Sequence, residues 1–195
     1  MPTTDTRETI IKVARRLFAQ SGIGNVTMAD IAKAANKSRR TVYTYFQSKE
    51  ELLEASIEME VRKIPAAITK VATSGLTPDK KIIKIIFVRL QATRRIVRRN
   101  GCLHSDYIYI VEHIRKGFDA KEIALFRRII EEGKQKGVFR TESPDLAARF
   151  LHFCLKGIEM PFVNGVISKN NDEKFVEYFT KKVILSALEY TGKTA

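Results

Sequence analysis

Thr27–Lys49 reads T-M-A-D-I-A-K-A-A-N-K-S-R-R-T-V-Y-T-Y-F-Q-S-K. Thr27 is a good N-cap, and Asp30 three residues later completes a capping-box pattern. Ile31, Ala32 and Ala35 make an apolar face of mostly small residues. Asn36 follows, and asparagine tolerates the left-handed conformation that ends a helix. Ser38 can cap a second helix over Arg39–Phe46, with Val42 and Phe46 inward at i, i+4. Arg39, Arg40, Thr41, Tyr43 and Thr44 are left outward. Ser48 with Glu51 caps a third helix. Two short helices joined by a tight turn, the second basic and polar, describe a helix-turn-helix that sets its second helix in a DNA groove.

Upstream, Asp5 and Glu8 form a capping-box pattern before a helix to about Gln20. Its Ile10, Ala14, Leu17 and Phe18 share one stripe, which supplies the third side of a small core. Downstream, Leu52, Leu53, Ala55, Ser56 and Met59 continue a helix from Lys49 that Pro65 should kink or end. Thr77-Pro78 opens a long helix to about Arg99, nearly all apolar in its middle. Helical spacing recurs around Ser105–Lys116 and from an Asp119/Glu122 capping-box pattern to Gly137. It recurs again behind Ser143-Pro144, where Gly157 and Pro161 should bend or end the helix, and over about Asp172–Tyr190. No stretch alternates like a strand for long. The expected fold is all-α: an N-terminal three-helix domain over residues 1–48, then a larger helical domain over 49–195.

The 195 residues carry a net charge of +13, which favours a polyanionic partner. Residues 1–50 hold nine Lys/Arg against four Asp/Glu, and residues 79–101 hold eight against one. The second excess ends in Arg94, Arg95, Arg98 and Arg99. Those cations either complement the helix dipole or return toward the DNA-binding end, as antiparallel neighbours would. Cys102 and Cys154 are far apart and suggest no disulfide framework. No apolar run approaches a membrane span, and the N-terminus lacks the order of a signal peptide. A cytoplasmic location without membrane contact is therefore expected.

Residues 5–53 resemble the DNA-binding head of TetR-type (TetR/AcrR) transcriptional repressors. The stretches that carry the likeness are TRETIIKVARRLFAQSG, TMADIAKAANKS and TVYTYFQSKEELL, with Tyr43-x-x-Phe46-x-Ser48-Lys49-Glu50 the most specific. A weaker likeness continues at Glu132-Gly133, Lys136-Gly137-Val138-Phe139 and Asp145-Leu146-Ala147-Ala148. The resemblance implies a homodimer formed by the last two long helices, a double-stranded operator, and repression relieved by a small molecule. By position it places Thr27, Tyr43 and Lys49 on phosphates. Lys37, Ser38, Arg39, Arg40, Thr41, Thr44 and Tyr45 would lie on or near the groove. Where the family commonly has glycine, this chain has Asn36 in the turn and Arg40 on the second helix. Arg40 is expected to read a base edge, most plausibly guanine.

For a lipophilic effector the candidate lining is Phe87, Leu90, Gln91, Tyr107, Ile110, Phe126, Phe150, Phe153 and Phe162, residues that any helical core also contains. For the dimer face the candidates are Leu151, Leu155, Ile158, Phe175, Phe179 and Val183. Cys102-x-His104, with His113 and His152 elsewhere, is too little for a metal site, and no cofactor is expected. No nucleophile elbow or phosphate-cradling glycine loop points to catalysis. Two alternatives differ in class: a helical small-molecule enzyme with an accessory DNA-binding head, and an effector-independent DNA binder.

Overall fold

The computed structural model describes residues 4–100, 110, 111, 113, 114, 118–167 and 173–192. The fold is all-α. Its helices are α1 (Thr4–Ser21), α2 (Met28–Ala34), α3 (Arg39–Tyr45), α4 (Lys49–Val61), α5 (Ile64–Ala72), α6 (Pro78–Asn100), α7 (Asp119–Gln135), α8 (Pro144–Val163) and α9 (Glu173–Ala187), with a 3-10 turn at Ile23–Asn25. One isolated antiparallel bridge joins Phe139 and Tyr190.

The chain forms two compact units, Met1–Arg62 with Arg95–Ile114, and Lys63–Arg94 with Arg115–Ala195. The first unit's core contains Ile10, Ala14 and Phe18 of α1, Ile31 and Ala32 of α2, Val42 of α3, Phe46, and Leu52 of α4. Arg7 stacks over the Phe46 ring, 5.1 Å from its centroid. The end of α6 also belongs here. Asn100 is fully buried and accepts from the Ser56 hydroxyl, while its amide donates to Ile96 O at 2.8 Å. Glu60 receives Arg15 at 2.8 Å and Arg99 at 3.5 Å.

The second unit packs Ile82, Ile85, Ile86 and Leu90 of α6 with Phe126, Ile129 and Ile130 of α7. Leu151, Leu155 and Phe162 of α8 and Leu185 of α9 complete that core. Gly133 is where it is tightest, because a Cβ there would stand 2.2 Å from Phe139 Cδ2. Gly137 (φ 68°) ends α7 in a Schellman motif, with Val138 N donating to Gly133 O at 2.8 Å.

Several expectations change in detail. The helix from Lys49 stops at Val61, before Pro65, and Pro65 sits in the first turn of α5 instead. α8 runs through Gly157 and Pro161 to Val163. Gly157 lies four residues before Pro161, where the proline ring presses on the helix, and it adds no side chain to that crowding. Asp119 and Glu122 do not form a capping box, since no side chain caps α7. Both carboxylates are engaged elsewhere. The expected helix around Ser105–Lys116 lies largely outside the described residues.

Candidate nucleic-acid interface

The turn between α2 and α3 is built from local hydrogen bonds. Thr27 N donates to Asp30 Oδ2 at 2.9 Å, and Asp30 N donates to Thr27 Oγ1 at 3.2 Å, a complete capping box. The hydrogen bonds from Thr27, helped by the charges of Lys33 and Arg39, hold the Asp30 carboxyl below its ordinary range. Asn36 has φ 53°. Lys37 N donates to Ala32 O at 2.9 Å and Asn36 N to Lys33 O at 3.1 Å, so α2 ends in a Schellman motif with asparagine in the left-handed place. Ser38 then caps α3 by accepting from Thr41 N at 3.0 Å. Caps at both ends fix where α3 begins and which way it points.

α3 buries Val42, and Phe46 behind it is buried too. Lys37, Ser38, Arg39, Arg40, Tyr43 and Thr44 are exposed, with Tyr43 at 45%. Thr41 and Tyr45 are half-buried. The Thr44 hydroxyl donates to Arg40 O at 2.8 Å, keeping it against the helix beside that residue. Arg39 and Arg40 occupy the first turn of α3, which has no acidic residue. Cations are disfavoured at a helix N-terminus, where the dipole's positive end lies. An arrangement that works against local stability suits a surface awaiting an anionic partner.

Lys49 has a different place from the one expected for its side chain. Its ammonium donates to Ile23 O at 2.9 Å and reaches Gly24 O at 3.5 Å, tying α4 to the 3-10 turn. Ser48 accepts from Glu51 N at 3.1 Å, and the Glu51 carboxylate accepts from Gln47 N at 2.6 Å. The N–H groups of Lys49 and Glu50 in this first turn have no acceptor within the helix.

Residues 10–56 match the family model described as bacterial regulatory proteins, tetR family. The chain belongs to the tetR family. An HTH-type transcriptional regulator of Mycobacterium tuberculosis is 35% identical over 94 residues, covering 48% of this chain and 45% of that protein. A probable acrEF/envCD operon repressor of Escherichia coli is 31% identical over 104 residues, covering 52% of this chain and 47% of that protein. The matched stretch thus spans about half the length of each of these relatives. A crystal structure of a transcriptional regulator from Cytophaga hutchinsonii superposes with a TM-score of 0.73 at 25% identity. That likeness covers 93% of this chain and 97% of the other.

In the second unit the expected effector-lining residues do not come together. Leu90, Phe126 and Phe162 are core residues, and Phe87 packs against that core from a partly buried position. Gln91 is exposed and borders a surface groove with Phe87. Phe150 and Phe153 are 63% and 62% exposed. Ile110 belongs to the first unit, and Tyr107 lies outside the described residues. Of the expected dimer face, Leu151 and Leu155 are buried in this unit's core, Ile158 is half-buried and Val183 is 51% exposed. The side chains of Phe175 and Phe179 are outside the described residues.

The exchange on α8 has a physical cause. Its buried face is Ala148, Leu151, His152, Leu155, Glu159 and Phe162. Two of those six are polar, so a hydrophobicity pattern alone sets the helix one position out of phase. His152 and Glu159 are inside because they meet Arg89 and Glu122, a set of partners that sequence reading did not connect. Cys102 and His104 lie outside the described residues. Among the described residues no group of His, Cys, Asp and Glu is arranged to hold a metal ion. No described helix is long and apolar enough to cross a membrane.

Proposed function

We propose that this protein is a transcriptional repressor that binds a pseudo-palindromic DNA operator as a homodimer and is released by a small lipophilic effector. The observation that carries the reading is the outward face of α3: two arginines in its first turn, followed by Tyr43 and Thr44, on a helix fixed by caps at both ends. Arg40 contacts a base edge, with Arg39, Thr41 and Thr44 on or near the groove. Tyr43, Thr27 and the first turn of α4 at Lys49 hold phosphates. Lys37, Ser38 and Tyr45 border the same surface. Phosphate contacts set position, and base contacts set sequence preference.

Dimerisation fits the outer faces of the last two helices. Leu146, Phe150 and Phe153 of α8 and Tyr178 and Val183 of α9 are exposed. Apolar residues at that density on paired helices mark a protein interface. Two copies of α3 then meet successive major grooves about 34–36 Å apart. An effector acts by favouring a body conformation with the wrong head spacing, and its effect is limited to its differential affinity for the two states.

Selection of bound sequences from a random duplex pool tests this. The reading expects an inverted repeat with half-site centres about one helical turn apart, or a multiple of it. Recovery of no consensus, or of a single unrepeated half-site, refutes it.

A further inference from the structure

The second unit's core has a polar centre. Arg89 is 1% exposed, with Glu122 and Glu159 at 5% and His152 at 0%. Arg89 Nε donates to Glu159 Oε1 at 2.7 Å, and its Nη1 donates to Glu122 Oε2. His152 Nδ1 lies 2.6 Å from that same Glu122 oxygen, and the Thr93 hydroxyl donates to Glu159 Oε1 at 3.3 Å. At the margin, His152 Nε2 faces Asp119 Oδ2 at 3.6 Å, and Lys156 donates to that oxygen at 3.4 Å. The charged and titratable groups therefore come from α6 (Arg89), α7 (Asp119, Glu122) and α8 (His152, Lys156, Glu159). Among the described residues, three carboxylates meet two permanent cations and one imidazole.

An uncompensated charge buried at such a place costs several kcal/mol. With all three carboxylates ionised and the imidazole neutral, the centre would carry one excess negative charge. A single proton, on Glu159 or His152, closes the balance. We propose that this centre is a proton-linked clamp: packed as seen here, it holds that proton, and losing it loosens the grip of α7 and α8 on α6. A proton then acts as a ligand of the body in its own right. What it controls is the freedom of α6, which carries Arg89 and Thr93 in the second unit and runs on to Arg99 and Asn100 in the first.

The titration directions agree with the geometry. Burial pushes the Glu159 carboxyl above its ordinary value of 4.5, more than Arg89 pulls it down. Burial also pushes Glu122 up, but the hydrogen bond from His152 and the charge of Arg89 outweigh it and leave Glu122 low. For Glu159, with a raised folded value, the stabilising contribution is complete below about pH 4.5 and is lost as pH rises through the folded value. For Glu122, with a lowered one, the contribution is present above about 4.5 and is lost as pH falls.

The test measures unfolding equilibria of the intact chain from pH 5 to 9, for wild type, Glu159→Gln and His152→Gln. Glutamine keeps an acceptor for Arg89 and Thr93 but binds no proton. One linked proton changes the unfolding constant by up to about tenfold per pH unit. The expected result is that wild type loses stability as pH rises, and that the variant lacking the proton's site loses less than half as much per pH unit. Hydrogen-exchange protection of α6 amides should fall over the same range in wild type and stay level in that variant. Equal slopes in all three proteins, or α6 protection that ignores pH, overturn the proposal. If the variants do not fold, wild type at pH 7 should still show a protonated-carboxyl infrared band or an imidazolium nitrogen resonance that titrates with stability. The absence of both overturns it. Under the DNA-binding reading, operator affinity follows the same pH range. That measurement alone depends on that reading, so a protein that bound no DNA would leave the stability and exchange results to decide.

Discussion

Phe139 lies against Gly133 so closely that a Cβ on residue 133 would stand 2.2 Å from Phe139 Cδ2 and 2.4 Å from its Cε2. The ring is fully buried, and both Val138 N and Phe139 N donate to Gly133 O. The turn that follows α7 is thus held to the helix by backbone bonds, and the absent side chain makes room for the ring. Gly133→Ala should force the ring or the turn aside and cost about 1–3 kcal/mol by overpacking, despite alanine's better helix propensity. Chemical denaturation checks it, and an unchanged or raised midpoint contradicts the packing described.

The caps around the turn make a second prediction. Thr27→Ala removes the acceptor for Asp30 N, and Ser38→Ala removes the acceptor for Thr41 N. Each should destabilise the first unit by about 1 kcal/mol. Because α3 takes its direction from these caps, operator affinity should drop further than a surface substitution on α1 such as Arg16→Ala would cause. Binding titrations of the three variants at one salt concentration give the comparison.

Lys49→Met separates two roles. Methionine keeps most of the side chain's apolar length but loses the ammonium that ties α4 to Ile23 O. We expect a loss of roughly 1 kcal/mol in stability. The slope of log affinity against log salt should stay at its wild-type value, because the phosphate is held by backbone N–H groups of α4. A slope smaller by about 0.9 per lost phosphate contact would show the ammonium on DNA instead.

The Lys81–Glu132 pair predicts a pH effect. Lys81 is almost fully buried, and its ammonium lies 2.8 Å from Glu132 Oε2. Burial raises the Glu132 carboxyl, but the hydrogen bonds and charges of Lys81 and Lys136 outweigh it and leave it below 4.5. A lowered folded value means stability that is present above about pH 4.5 and lost as pH falls through the folded value. Glu132→Gln should therefore cost about 1–3 kcal/mol at pH 7 and much less near pH 3. Thermal midpoints at the two pH values test it, and an equal gap at both refutes the pairing.

How much could be read in the chain follows from how far apart the partners are. Thr27 with Asp30, Asn36 with its αL turn, and Ser38 with Thr41 act within a few residues, so the head was legible almost atom by atom. Val42 and Phe46 were assigned inward and are inward. The second unit was legible only as helices. Asp119 and Glu122 have the spacing of a capping box, yet Glu122 is taken by Arg89 and His152, and Asp119 by Lys156. Those partners are more than thirty residues away except for His152, which is thirty away. Burying His152 and Glu159 also hid the phase of α8, placing Phe150 and Phe153 outside and Leu151 and Leu155 inside. Local chemistry writes itself into spacing; long-range polar packing does not.

The central claim is that α3 reads DNA and that Arg40, where the family commonly has glycine, supplies part of this protein's sequence preference. The most direct measurement compares Arg40→Ala with wild type on the selected operator and on every single-base variant of one half-site. The account predicts that discrimination collapses at one position, by roughly 1–3 kcal/mol, while preferences at the other positions persist. A uniform loss of affinity on all the duplexes, with every preference intact, would contradict it and make Arg40 a phosphate contact.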